Sequence, residues 1–151
     1  DDTPGIDPVL HAIEQCPGYD YVVLLQPTSP LRTVDDIDGC IEQLLSSDGT
    51  NFCVSVTEPE KSPYWMYTLE DERMVPLLPK DTLVTRRQDL PKVYALNGAI
   101  YVAKTEKLIE EKSFLSSNTS GYIMSQERSL DIDTLTDFTI CELLKKKGII
   151  K

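Results

Sequence analysis

Residues Val22 to Arg32 read VVLLQPTSPLR. The apolar run Val22-Val23-Leu24-Leu25 stops at Gln26, and Pro27 and Pro30 then lock φ and withhold two backbone donors. A run this short, bounded by turn residues, predicts a strand buried on both faces. Open α/β sheets bind ligands beyond the carboxyl ends of their strands. Gln26, Thr28, Ser29 and Arg32 therefore stand where a ligand would sit. A rigid strand-to-helix turn with no ligand would use the same residues.

Thr33 follows as the N-cap of a helix, with Asp36 three residues on in a capping-box position. Asp35 and Asp38 add charge that suits a helix N-terminus. Val34, Ile37, Ile41, Leu44 and Leu45 recur at helical spacing and predict the buried face. Phe52 to Val56, FCVSV, predicts a second strand, so strand, helix and strand make a right-handed crossover joining parallel strands. Upstream, Asp7 and Pro8 suit the N-cap and N1 of a first helix with an apolar stripe at Val9, Leu10, Ile13 and Cys16. Pro17-Gly18 ends it. His11 falls on its exposed side and reads as a surface residue rather than a catalytic base.

The bulk composition limits what this chain does. Its 151 residues are enough for one domain with a core, and 40% apolar with 26% charged residues is a globular composition. A formal net charge of −10 argues against nucleic acid and anionic membrane surfaces as partners. No run approaches the ~20 apolar residues of a membrane span. The start, Asp1-Asp2-Thr3, has neither the basic flank nor the apolar stretch of a secretory leader. Cys16, Cys40, Cys53 and Cys141 form no C-x-x-C pair, and a single histidine leaves no zinc set or Ser-His-Asp triad. They read as buried thiols in a reducing cytoplasm.

The middle of the chain departs from the α/β rhythm. Glu58 to Pro79 holds Pro59, Pro63, Pro76 and Pro79 with Tyr64, Trp65 and Tyr67. Tyr64 to Leu69, the turn Glu70-Asp71-Glu72, and Met74 to Leu78 predict an inserted β-hairpin. Its aromatic surface needs a cover, either its own domain or a partner subunit. Arg86 and Arg87 are adjacent cations in an acidic chain, suited to forked binding of carboxylate or phosphate, or to a surface ion pair. Asn97-Gly98-Ala99 leads into the strand Ile100-Tyr101-Val102, and its small residues admit close approach of a backbone or ligand. Thr105 to Glu111 predicts a short helix, Phe114 to Gly121 a loop, and Tyr122 to Met124 and Ser129 to Ile132 short strands.

Asp131 and Asp133 are two apart, so on a strand both carboxylates face one way. Such a pair repels unless a cation lies between, and a hard ion such as Mg²⁺ shared with substrate phosphates fits. Asp133 also suits the cap of a last helix, Leu135 to Lys147, with Lys145-Lys146-Lys147 matching its dipole. Capping leaves Asp131 without a reason.

Three motifs stand in order: LLQPTSPLR at Leu24 to Arg32, RRQDLPKVYALNGAIYV at Arg86 to Val102, and YIMSQERSLDIDTLTDF at Tyr122 to Phe138. Together they resemble the acylneuraminate cytidylyltransferase family, the CMP-sialic acid synthetases, over essentially the whole chain. The resemblance implies a Rossmann-like nucleotide-diphospho-sugar transferase fold: α/β, three-layer αβα, with a mostly parallel sheet. It implies one domain over residues 1–151, with residues 58–79 as an inserted dimerisation arm. The implied reaction joins CTP to a nine-carbon α-keto acid sugar with Mg²⁺, giving the CMP-sugar and pyrophosphate, in a cytoplasmic homodimer.

Residue by residue, the resemblance implies that Gln26 hydrogen-bonds the sugar and that Arg87 engages its carboxylate. Asn97 and Tyr101 would line the sugar pocket, and Phe114 and Leu115 would meet the acyl-amino group. Asp131 and Asp133 would hold Mg²⁺. Two features depart from the pattern. Pro63-Tyr64-Trp65 stands where some members carry a lysine in the arm, and Leu115 stands where some carry a second Phe. Both bear on the sugar, with legionaminic and pseudaminic acid as bacterial alternatives to sialic acid. The Gly-, Arg- and Lys-rich CTP loop of the family has no counterpart here. The expectation is a C-terminal part of the enzyme, inactive alone, with a bared sheet edge. The rival readings are a metal-dependent glycosyltransferase using D-x-D and a non-catalytic dimerising or binding module.

Overall fold

The computed structural model describes residues 5–78 and 90–148. The chain forms two compact units, residues 58–95 making the second and the flanking segments the first. Arg86 and Arg87 lie outside the described residues.

The first unit begins with helix α1 (Asp7–Gln15) and strand β1 (Tyr21–Leu25). Helix α2 (Val34–Ser46) and strand β2 (Phe52–Thr57) follow. In α1 the N-cap is Ile6, with no side-chain cap bond, and Asp7 is already helical. Proline then falls in the first turn, where its missing N–H costs no intrahelical bond. In α2 the expected capping box is formed: Thr33 accepts from the Asp36 N–H, and the Asp36 carboxylate accepts from the Thr33 N–H at 2.9 Å.

The second unit carries strands β3 (Tyr67–Glu70) and β4 (Arg73–Pro76), an antiparallel hairpin preceded by a 3₁₀ turn at Pro63–Trp65. Its two-residue loop places Asp71 and Glu72 at positive φ, the geometry that matches the twist of paired strands. Trp65, Tyr67, Leu69, Met74 and Leu77 are exposed.

The first unit resumes with strand β5 (Ala95–Lys104, its first residue belonging to the second unit), helix α3 (Thr105–Glu111) and strand β6 (Thr119–Ile123). After a 3₁₀ turn at Glu127–Ser129, helix α4 spans Leu135–Lys146. The sheet order is β1-β5-β2-β6. β1 pairs antiparallel with β5, and β2 pairs parallel with β6. The Lys104 N–H donates to the Asn51 carbonyl, and the Ile100 N–H to Ser55 Oγ, so β5 also opposes β2. The sheet is therefore mixed: β1, β2 and β6 run one way and β5 runs against them. The crossover from β1 to β2 joins parallel strands as expected, but the two are separated by β5.

Alternate strand residues enter two cores. Ile100, Val102 and Cys53 pack with Cys40, Leu44, Ile37 and Ile41 of α2. Tyr101, Ala103, Phe52 and Val54 pack with Leu108 of α3 and with Val9 and Ile13 of α1. Because successive strand residues face opposite ways, α2 covers one face and α1 with α3 the other, giving three layers. Among the described residues β1 has one strand neighbour, and Tyr21 and Val23 are exposed. The expected burial of this strand on both faces is corrected: Tyr21 and Val23 alternate onto one face of the strand, and that face is left partly uncovered there. Cys16 is likewise exposed, while Cys40, Cys53 and Cys141 are buried. Among the described residues, no helix is long and apolar enough to cross a membrane.

Candidate active site

The turn after β1 is held from within. Its two prolines donate nothing, and its carbonyls still need partners. Arg32 Nη1 supplies them, donating to the carbonyls of Gln26, of Ser29 at 2.8 Å and of Ala99 at 3.3 Å. Burial pulls the Arg32 guanidinium below its ordinary pKa. Arg32 thus braces the turn against β5, a structural use of a residue placed by sequence among ligand contacts. Ser29 is fully buried, and its hydroxyl points to Asp131 Oδ1 at 3.4 Å. The Thr28 carbonyl accepts from the Ile132 N–H at 2.8 Å. The loop carrying Asp131 is therefore fastened to the carboxyl end of β1.

β5 brings the second set of residues. Gly98 adopts φ +71, a conformation that side chains disfavour, and a Cβ there would stand 2.6 Å from Gln26 Oε1. The Gln26 amide therefore lies against the Gly98 backbone. Next to it, Asn97 is buried and densely bonded. Its Oδ1 accepts from Ser55 Oγ at 2.6 Å and from the Ala99 N–H at 3.2 Å. Its Nδ2 donates to Ser129 Oγ at 2.8 Å and approaches Met124 Sδ at 3.4 Å. Thioether sulfur is a weak acceptor, so the Met124 contact is the one Asn97 would exchange for a ligand oxygen.

Tyr101 stands opposite Leu24 in the register of β1 and β5. Its ring meets Phe114 at a centroid distance of 5.3 Å and a tilt of 53°. Burial first, and the Asp131 charge second, push its phenol above the ordinary range. Phe114 is buried, whereas its neighbour Leu115 is half exposed.

The acidic pair sits differently from expectation. Residues 129–132 form no strand: Ser129 ends the 3₁₀ turn, and Leu130 to Ile132 have no ladder partner. The strand-period argument for two parallel carboxylates therefore does not apply. Asp133 is exposed and does not cap α4; Thr134 does, in a capping box with Asp137. The Asp133 N–H donates to Asp137 Oδ2 at 3.3 Å, which leaves both Asp133 carboxylate oxygens outside the cap.

Two residues stand out that sequence reading had not assigned to the site. Arg128 forks onto Asp36, with Nε at 2.9 Å from Oδ2 and Nη2 at 3.1 Å from Oδ1. Asp36 was legible only as a capping residue, and nothing local announces a partner 92 positions away. An apolar groove of about 420 Å³ lies between α1 and β1, lined by Val9, Ile13, Tyr21 and Val23 among others. It contains none of the candidate residues.

No family model matches the chain. It is 44% identical over 116 residues to an N-acylneuraminate cytidylyltransferase of Streptococcus agalactiae, a match covering 77% of this chain and 28% of that protein. It is 33% identical over 129 residues to a CMP-N,N'-diacetyllegionaminic acid synthase of Legionella pneumophila, covering 83% and 54%. It is 27% identical over 128 residues to a pseudaminic acid cytidylyltransferase of Campylobacter jejuni, covering 85% and 55%. The chain thus spans between about a quarter and a half of the length of these relatives.

Proposed function

The chain belongs to the acylneuraminate cytidylyltransferase family, and from that premise we propose that it forms part of an enzyme transferring CMP from CTP to a nine-carbon α-keto acid sugar. The products are the CMP-sugar and pyrophosphate. One observation carries the reading. The turn after β1, the Asn97-Gly98 step of β5 and the Asp131 loop are remote in sequence. They meet at the carboxyl end of β1, joined by the Ile132 to Thr28 bond at 2.8 Å.

In this reading Gln26 hydrogen-bonds a sugar hydroxyl, its amide held by the Gly98 backbone. Asn97 and Tyr101 line the pocket, and Phe114 and Leu115 contact the acyl-amino group. Arg87 forks onto the sugar carboxylate. The chemistry of the donor set fits a hard cation: Asp131 and Asp133 offer carboxylate oxygens, and Ser29 gives Asp131 only one long hydrogen bond. Bound Mg²⁺ would offset phosphate charge as the sugar's anomeric hydroxyl displaces pyrophosphate. The sheet and its helices follow the Rossmann-like nucleotide-diphospho-sugar transferase pattern in this reading. The exposed Trp65, Tyr67, Leu69 and Met74 of the hairpin unit support a role as a dimerisation arm.

The test is a CMP-transfer assay on these 151 residues, alone and joined to whatever the reading frame encodes upstream. It supplies CTP with sialic, legionaminic or pseudaminic acid. CMP-sugar formed by the joined protein and none by the 151 residues is the expected result. Turnover with UDP-sugars, or none with any of the three acids, defeats the reading in favour of a glycosyltransferase or a binding module. Light scattering on the same samples reports the mass of the expected dimer.

A further inference from the structure

Three of the contacts made by residues 125–132 fasten this loop to the rest of the first unit. Ile132 bonds Thr28 at the turn after β1, and Ser129 Oγ accepts from Asn97 Nδ2 at 2.8 Å. The third is Arg128, forked onto Asp36 in the first turn of α2. Asp36 is 1% exposed, and its Oδ2 also accepts from the Thr33 N–H at 2.9 Å and the Thr33 hydroxyl at 2.8 Å. Thr33 directly follows Arg32, which braces the Gln26 turn. One carboxylate therefore joins the helix that continues the turn to the loop that carries Ser129 and Asp131.

An ion pair of this kind is a poor source of stability, because taking a carboxylate out of water costs several kcal/mol and the Coulomb gain roughly cancels it. What it supplies is direction. A guanidinium forked on a carboxylate has a fixed plane, and Arg128 is the residue immediately before Ser129. Rotating or shifting Arg128 displaces Ser129, frees Asn97 Nδ2, and moves Asp131 two residues further on. Lysine would keep the charge and lose the plane.

We propose that the Arg128–Asp36 pair is a positioning device that sets Asn97 and Asp131 against the Gln26 turn. Its effect on turnover rests on the function proposed above; its effect on Asn97 does not. Arg128→Ala would leave Asp36 buried and unpaired and endangers folding, so the decisive variant is Arg128→Lys.

Two arms keep the two claims apart. The first follows the Asn97 side-chain amide of the chain by NMR hydrogen exchange. Arg128→Lys is expected to speed that exchange at least tenfold while the Val102 backbone amide, in the core of β5, exchanges as in the wild type. Unchanged Asn97 exchange, or equal acceleration at both sites, overturns the proposal. The second arm uses the protein with its complete reading frame. Arg128→Lys is expected to raise the sugar KM and the Mg²⁺ concentration for half-activation about tenfold each, with the CTP KM within twofold of wild type. Equal shifts in all three, or none, count against the positioning role. A wild-type protein that makes no CMP-sugar defeats the functional reading, and the NMR arm then decides the proposal by itself.

Discussion

Gly98 and Gln26 share one small volume: a Cβ on Gly98 would stand 2.6 Å from Gln26 Oε1. This sets the Gln26 amide against the backbone of β5 at the end of β1. Gly98→Ala meets two costs, the left-handed φ of +71 and the displaced amide. The backbone term alone is about 1–2 kcal/mol. Urea denaturation of this variant should show at least that loss, and the complete enzyme should lose affinity for the sugar rather than for CTP. A stability equal to wild type would contradict the conformation assigned to Gly98.

Ser55 supports the same corner from the neighbouring strand. Its hydroxyl donates to Asn97 Oδ1 at 2.6 Å and accepts from the Ile100 N–H at 2.8 Å. Ser55→Ala leaves that buried N–H without its hydroxyl partner, which costs about 1–3 kcal/mol. Denaturation midpoints measure the stability loss. The same substitution should raise the sugar KM, because Asn97 then keeps only the Ala99 N–H on its Oδ1. An effect on stability with no change in KM would separate Asn97 from the sugar.

The proposed function assigns the phosphates to the acidic pair, through Mg²⁺, and the sugar carboxylate to Arg87. Asp131→Asn in the complete enzyme should lower Mg²⁺-dependent turnover at least tenfold, or about 1.4 kcal/mol of barrier. Arg87→Ala should raise the sugar KM far more than the CTP KM. Steady-state kinetics at varied metal, sugar and CTP read both. Undiminished metal dependence in the first, or equal KM changes in the second, removes the corresponding assignment.

Thiol chemistry tests the packing of α2 on the sheet. Cys40 and Cys53 are fully buried with sulfurs 3.3 Å apart. The hydrogen bond to Cys53 and burial both push the Cys40 thiol well up. Burial also raises Cys141, whereas Cys16 is exposed. A chromogenic disulfide reagent at neutral pH should therefore titrate Cys16 quickly in the native chain and all four cysteines only after denaturation. Rapid native reaction of Cys40 or Cys53 would mean that α2 does not cover β2 as described.

Much of the architecture was legible because its causes are local. Thr33 and Asp36 are three residues apart and form the cap they announced. The helix over Thr105–Glu111 and the hairpin around Asp71-Glu72 rest on neighbouring residues in the same way. Asp133 was misread where two capping residues compete: Thr134 has the hydroxyl that Asp137 completes into a box, and a box satisfies two donors where a lone carboxylate satisfies one.

By itself the sequence determined the three motifs and the family resemblance they carry, most but not all of the succession of helices and strands, and the acidic, single-histidine character that excludes several chemistries. Tertiary structure alone decided that β5 runs between β1 and β2 and against both, leaving β1 at the border of the described sheet. It also decided that Arg32 is spent on carbonyls and that Arg128 reaches Asp36 across 92 positions. The physical reason is common to all of these. Strand neighbours and buried donors find partners by proximity in space, and periodicity and capping act only over a few residues of chain.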